Sequence, residues 1–155
     1  LSPGMLAKAR AGGRYARLEQ SDLHAMMQRE PSASYDLVTA ADVFVYVGML
    51  DDIVREAARV LRPGGLFAFS VESLDALASG AAAGDERSGF RLNPTGRYAH
   101  SIAHLRRLAA DHGFGILETK DTHVRIDKGK PVDAYLMLWR HSGAAAPATI
   151  GPAEP

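Results

Sequence analysis

The chain has 155 residues, 46% of them hydrophobic and 23% charged, which fits a single globular domain. Its 18 Lys and Arg balance 18 Asp and Glu, so no summed field points to nucleic acid or to an anionic membrane as partner. The absence of cysteine excludes disulfides and thiolate chemistry, and no apolar run approaches the roughly 20 residues that cross a bilayer, so the chain reads as cytoplasmic with no membrane partner.

In chain order, Ser2 and Pro3 form an N-cap and first-turn pair ahead of the helix formers Met5 to Ala9, and Gly12-Gly13 stops the helix. Leu1 is not a start methionine, and the first residues lack the pattern of a signal peptide, so the sequence reads as beginning inside a longer protein. A short strand is expected over residues 17–22, a loop at Glu30-Pro31-Ser32, and a strand over residues 35–41. Over residues 50–61, Leu50, Ile53, Val54, Ala57 and Leu61 make one apolar stripe, with Asp51 and Asp52 at the positive end of the expected helix. The strand expected over residues 66–71, "LFAFSV", lacks alternation, as burial on both faces requires. Strand, helix and strand at this spacing make a crossover between parallel strands.

Pro63 cannot continue the helix, and Gly64 and Gly65 let the chain reverse into that strand. This corner lies at the amino end of the strand, whereas open α/β sheets bind ligands at the carboxyl ends, here "TAAD" (Thr39 to Asp42) and "SVES" (Ser70 to Ser73). Beyond Ser73 a helical turn gives way to a Gly/Ala/Ser-rich connection, a candidate lid. A helix capped by Ser101 carries Ile102, Leu105, Leu108, Ala109 and His112 on its inner face and ends at Gly113. "GILETKDTHVRI" and "VDAYLMLWR", joined by "DKGKP", predict a terminal antiparallel hairpin, and residues 142–155 predict a disordered Ala/Pro-rich tail after a domain spanning residues 1–141.

"LSPGML", "SDL", "YDLVTAADVFVYV", "VREAARVLRPGGLFAFSVE" and the closing hairpin together resemble the class I S-adenosylmethionine-dependent methyltransferases over residues 1–140. Within that family, "DVFVYVG" and "GRYAHS" are most similar to bacterial methyltransferase domains found beside tetratricopeptide repeats. The resemblance implies an α/β, Rossmann-like sheet, mostly parallel, with a terminal antiparallel hairpin and lacking the first two strands. It also implies S-adenosylmethionine as cofactor. Ser2 and Met5 would lie beside the ribose and adenine, Asp22 would accept from the adenine amino group, the Leu23 N–H would meet the ring, and Ala40 would approach the methionine portion. The family's glycine-rich loop and its ribose-binding acid have no counterpart after Leu1, so the expectation is the carboxyl-terminal part of a methyltransferase domain, with half of its cofactor site and no activity of its own.

A sulfonium methyl needs little acid–base help, so positioning the nucleophile and excluding water matter most. Asp42, Tyr46, Glu72, Tyr98 and His100 are the candidates on the substrate side, and no catalytic residue is assigned. His100 and His104 stand four apart without an evident third ligand, so no metal is expected. Two other readings stand beside methyl transfer: a non-catalytic remnant whose exposed sheet edge pairs with another chain, and a nicotinamide-dependent Rossmann oxidoreductase. Ile102, where a Tyr-x-x-x-Lys pair starting at Tyr98 would need lysine, speaks against the second. The methyl acceptor is expected to be a small molecule or a protein, and self-association of the chain through its open edge is expected.

Overall fold

The computed structural model describes residues 2–77, 89–127 and 129–143. The described residues form an open sheet of six strands, with their main helices packed on one face. Helix α1 (Pro3–Ala11) is capped by the Ser2 hydroxyl, which accepts from the Met5 N–H at 3.4 Å, and it buries no residue. Helix α2 (Leu23–Arg29) begins at Asp22, whose Oδ1 accepts from the Ala25 N–H at 3.1 Å.

The strand expected over residues 17–22 does not form. That stretch carries no ladder and is held by side chains instead, Arg17 pairing with Glu30 and Arg29 with Glu19. The Ser-Asp-Leu sequence read as a strand end is a helix start, since Asp at an N-cap satisfies an orphan N–H of the first turn.

Strand β1 (Tyr35–Ala40) leads through a single 3-10 turn (Phe44–Tyr46) into helix α3 (Asp51–Val60), which returns the chain to β2 (Leu61–Ser73), parallel to β1. The Pro-Gly-Gly corner is a bulge inside β2. Tyr35 pairs with Leu61, but Leu37 already pairs with Leu66, so Arg62 to Gly65 are looped out. Gly64 takes φ +83, and a Cβ on Gly65 would sit 2.9 Å from the Arg62 carbonyl oxygen, so both positions require glycine.

After β2 a short helix α4 (Leu74–Leu77) follows. The candidate lid falls on residues 78–88, outside the described residues. "FRLNPTGRYAHS" forms a small hairpin, β3 (Phe90–Leu92) and β4 (Tyr98–His100), and β4 adds parallel to the last two residues of β2. Helix α5 (Ile102–Asp111) is capped by Ser101 as expected. Strands β5 (Phe114–Asp127) and β6 (Lys130–His141) form the terminal hairpin, with β6 antiparallel to β2. Ser142 is still tied to the Gly113 carbonyl, and the expected tail from residue 144 lies outside the described residues.

The described sheet is mixed rather than mostly parallel: β1–β2 and β2–β4 are parallel, whereas β3–β4, β2–β6 and β5–β6 are antiparallel. Both hairpins join their strands by connections too short for a parallel crossover.

Alternation along β2 separates two faces. Phe67, Phe69 and Val71 of β2 share one face with Trp139, Met137 and Tyr135 of β6, against Ile53, Val54 and Ala57 of α3 and Leu105, Leu108 and Ala109 of α5. Trp139 stands edge-on to Phe69 at 4.7 Å between ring centroids. Register places Ala68, Ser70 and Glu72 of β2, Thr39 of β1 and Leu136 of β6 on the opposite face. Among the described residues no helix is long and apolar enough to cross a membrane.

Candidate functional site

The carboxyl ends of β1 and β2 converge on the face opposite the helices. Ala40 ends β1 buried against Phe69, and the chain then turns at Asp42, which takes φ +54, a left-handed conformation uncommon outside glycine. The Asp42 N–H donates to the Ser70 hydroxyl at 2.9 Å, which fixes the turn to β2. Two residues along, on the same face, Glu72 is 5% exposed. A buried carboxylate needs a partner, and Arg125 supplies it from the hairpin arm of β5. Arg125 Nη2 donates to Glu72 Oε1, and Nη1 donates to Asp42 Oδ1 at 3.2 Å. One guanidinium thus ties β5 to the ends of both central strands, and its Nε is buried without a partner.

Two recesses open near this bridge, and Glu72 and Arg125 line one of them. One, about 330 Å³, is lined by Thr39, Ala41, Ala68, Ser70 and Leu136 and is almost wholly apolar. The other, about 270 Å³, is charged: Glu72, Arg91, Arg125, Asp127 and Asp133 line it together with Pro94 and Val132. Ser70 belongs to the first and Glu72 to the second, so the two recesses follow one another along β2.

The remaining candidates take varied positions. Ser2 is a helix cap at the surface, Met5 is 72% exposed, and Leu23 opens α2 with its side chain against the core. Asp22 spends Oδ1 on its cap and leaves Oδ2 uncommitted among the described residues. Tyr46 is exposed, and its hydroxyl engages Arg97, whose guanidinium it holds above the ordinary arginine range together with the nearby Glu72 and Asp127 charges. Tyr98 packs edge-on to Phe90, and the two rings close over Gly48, where a Cβ would lie 2.7 Å from each.

His100 is fully buried, with Nε2 3.1 Å from the Val47 carbonyl oxygen, to which that nitrogen donates. Burial lowers its pKa to about 4. Its ring stacks on His104 at 6.3 Å, and burial lowers the pKa of His104 as well. In this arrangement His100 holds the β4 entry to the 3-10 turn and offers no ring atom to a ligand.

Residues 1–69 match the methyltransferase domain family. An S-adenosylmethionine-dependent methyltransferase from Mesorhizobium loti superposes with a TM-score of 0.64 at 21% identity, covering 90% of this chain and 77% of that one. The fold is that of the class I S-adenosylmethionine-dependent methyltransferases. The 1,6-didemethyltoxoflavin N1-methyltransferase of Burkholderia thailandensis, solved with S-adenosylhomocysteine, superposes with a TM-score of 0.60 at 17% identity over 90% of this chain and 57% of its own. The malonyl-[acyl-carrier protein] O-methyltransferase of Enterobacter lignolyticus is 38% identical over 77 residues, which cover 50% of this chain and 30% of that protein.

Within this methyltransferase fold, Arg125 is the site residue that sequence reasoning missed, whereas Ser70 lies in the stretch Ser70 to Ser73 that the sequence marks as a strand end. Arg125 stood in a strand 53 residues from Glu72, and only the hairpin register brings the two together. Asp42 and Glu72, both anticipated, are brought together by Arg125, whereas Tyr98 and His100 pack against Phe90 and line neither recess.

Proposed function

We propose that this chain forms part of an S-adenosylmethionine-dependent methyltransferase acting in the cytoplasm within a longer protein, with the apolar recess at the end of β1 on the cofactor side and the charged cavity on the acceptor side. The observation that carries this reading is the pair of recesses that follow one another along the end of β2, one lined by Thr39, Ala41 and Ser70 and the other by Glu72 and Arg125. Open α/β sheets hold their ligands at that end, and a two-substrate transfer needs two sites that meet.

The residues present fit one side of such a cofactor. Among the described residues Asp22 keeps a carboxylate oxygen free to accept from an amino group, and the β1 end supplies a small apolar recess beside Thr39 and Ala41. The likeness to solved methyltransferases, one of them with S-adenosylhomocysteine bound, supports the same ligand here. When bound, the cofactor supplies an already electrophilic methyl group. The chain's own residues bind, orient and exclude water: Ser70 and Asp42 fix the turn between the recesses, and Arg125 cancels the charge of Glu72 so that it can stay buried beside the reacting groups.

Titration of S-adenosylhomocysteine into ¹⁵N-labelled chain tests the reading. Saturable shifts of the Thr39 to Asp42 amides and of residues 22–25 are expected, with a millimolar dissociation constant. Shifts confined to other elements, or none at millimolar ligand, would overturn it.

A further inference from the structure

The charged cavity is unbalanced. Three carboxylates line it against two guanidiniums. Arg125 is neutralised twice, by Glu72 and by Asp42, and Arg91 Nε lies 3.4 Å from Asn93 Oδ1. Among the described residues Asp133 is held by the exposed His123 ring, at 3.0 Å. Asp127, half-buried in the same lining, has no cation within ion-pair distance among the described residues. Arg97 is near enough for Asp127 and Glu72 to raise its pKa, but its guanidinium is engaged by Tyr46 and it does not line the cavity. A half-buried carboxylate in a concave, partly apolar site gains most from a cationic or N–H donor ligand. At about 270 Å³ the cavity suits a small molecule rather than a polypeptide segment.

We propose that this cavity binds a small amine-bearing molecule anchored by Asp127, and that this amine is the methyl acceptor. The second half rests on the methyl-transfer reading, and the first half does not. In the transfer, the lone pair of the neutral amine nitrogen attacks the sulfonium methyl carbon. The N–C bond forms as the C–S bond breaks, and the bonding pair stays on sulfur, leaving a neutral thioether. The N-methylammonium so formed releases its extra proton to the Asp127 carboxylate, which passes it to water. Before attack, Asp127 accepts an N–H hydrogen bond and so points the lone pair away from itself, towards the Glu72 end of the cavity and the cofactor side beyond it.

The test uses phenethylammonium and phenylacetate, matched in size and opposite in charge, each titrated into the ¹⁵N-labelled chain without cofactor. Phenethylammonium should shift amides of residues 91–95 and 125–133 saturably, and phenylacetate should not. Asp127→Asn should weaken the ammonium at least about tenfold, the cost of one hydrogen bond to a charged group. Asp133→Asn, whose carboxylate His123 shares, should weaken it less. Asp127 sits at the end of β5 opposite Lys130, so the variant keeps its hairpin, which its circular dichroism verifies.

Equal or tighter binding of phenylacetate would assign the cavity to a carboxylate and overturn the proposal, as would ammonium binding that Asp127→Asn leaves unchanged. A parallel S-adenosylhomocysteine titration separates the two readings. Cofactor shifts at Thr39 to Asp42 without ammonium binding overturn this inference alone. Ammonium binding without cofactor shifts overturns the methyl-acceptor half together with the methyl-transfer reading.

Discussion

Replacing Arg125 with methionine leaves a stem of similar length and removes the guanidinium, so Glu72 is left buried with no counter-charge. Loss of one partner from a buried pair costs about 3–5 kcal/mol, because the remaining charge cannot regain its hydration. Here the Arg125 side chain is 20% exposed and its second partner, Asp42, is 56% exposed, so water screens part of the interaction and the Asp42 share is worth no more than about 1 kcal/mol. The expected loss is therefore about 2–3 kcal/mol, or a fall in melting temperature of about 5–10 °C for a chain of this size. Glu72→Gln in the same background removes the uncompensated charge and should restore more than half of the loss. Four urea titrations followed by circular dichroism (wild type, both single variants and the double) complete a thermodynamic cycle, whose coupling is expected at about 2 kcal/mol. If the two single effects add to within about 0.5 kcal/mol, Arg125 and Glu72 do not depend on each other. The bridge would then not be what keeps Glu72 buried at the end of β2.

Three other outcomes follow from the geometry. His100 has a folded pKa of about 4 against an ordinary value near 6.5, so the unfolded chain takes up a proton first and stability falls as pH drops from about 6.5 towards 4, by up to about 3 kcal/mol. His100→Gln should be less stable at pH 7 but lose less on acidification, and melting curves at pH 7 and pH 4.5 that run parallel for the two proteins would refute the role of burial. Gly48→Ala places a methyl 2.7 Å from two aromatic ring edges and should cost about 1–3 kcal/mol by chemical denaturation, with an unchanged midpoint showing that β3–β4 shifts freely. Asp22→Ala should cost about 1 kcal/mol of stability through its cap and weaken S-adenosylhomocysteine binding as well, whereas Asp22→Ser keeps the cap and should weaken binding alone; calorimetry that finds Asp22→Ser with wild-type affinity would leave Asp22 as a helix cap only.

Much of the fold was legible because local signals and burial agree. The apolar stripe from Leu50 to Leu61 and the unbroken apolarity of Leu66 to Val71 point to a helix laid on a buried strand, and α3 and β2 form there, although the expected burial on both faces is incomplete, with Leu66 and Ala68 only half-buried. Ser101 caps its helix because a hydroxyl satisfies an orphan N–H wherever a helix begins. Residues 17–22 misled because Tyr15, Leu18 and the polar residues around them suit an edge strand as well as a loop. The decision belongs to Arg17 and Arg29, which pair with Glu30 and Glu19 across 13 and 10 residues. The β3–β4 hairpin was missed for a different reason: three-residue strands carry too few residues for a period to show, and β4 exists because the end of β2 offers it a free ladder edge.

The site divides along the same line. Asp42 and Glu72 could be anticipated from chain position alone, since the carboxyl ends of parallel strands collect ligands whatever the chemistry. Arg125 could not, because its importance comes from an antiparallel register that places a residue of β5, beyond the end of β2, over two acids that lie 83 and 53 residues earlier. His100 shows the converse. Its neighbours in sequence, Tyr98 and Ser101, mark a turn into a helix, which is where acceptor-side residues are sought, but β4 adds to β2 and carries the ring inward under the 3-10 turn. A pKa pushed to about 4 by burial then makes a neutral hydrogen-bond donor of a residue that at the surface would titrate near neutrality. The same physical term acts in opposite ways at the two positions: desolvation is tolerated at His100 by keeping the ring uncharged, and at Glu72 by bringing a guanidinium from the far hairpin. That is why the charged cavity depends on β5 and β6 as much as on the strand ends that the sequence pattern marks.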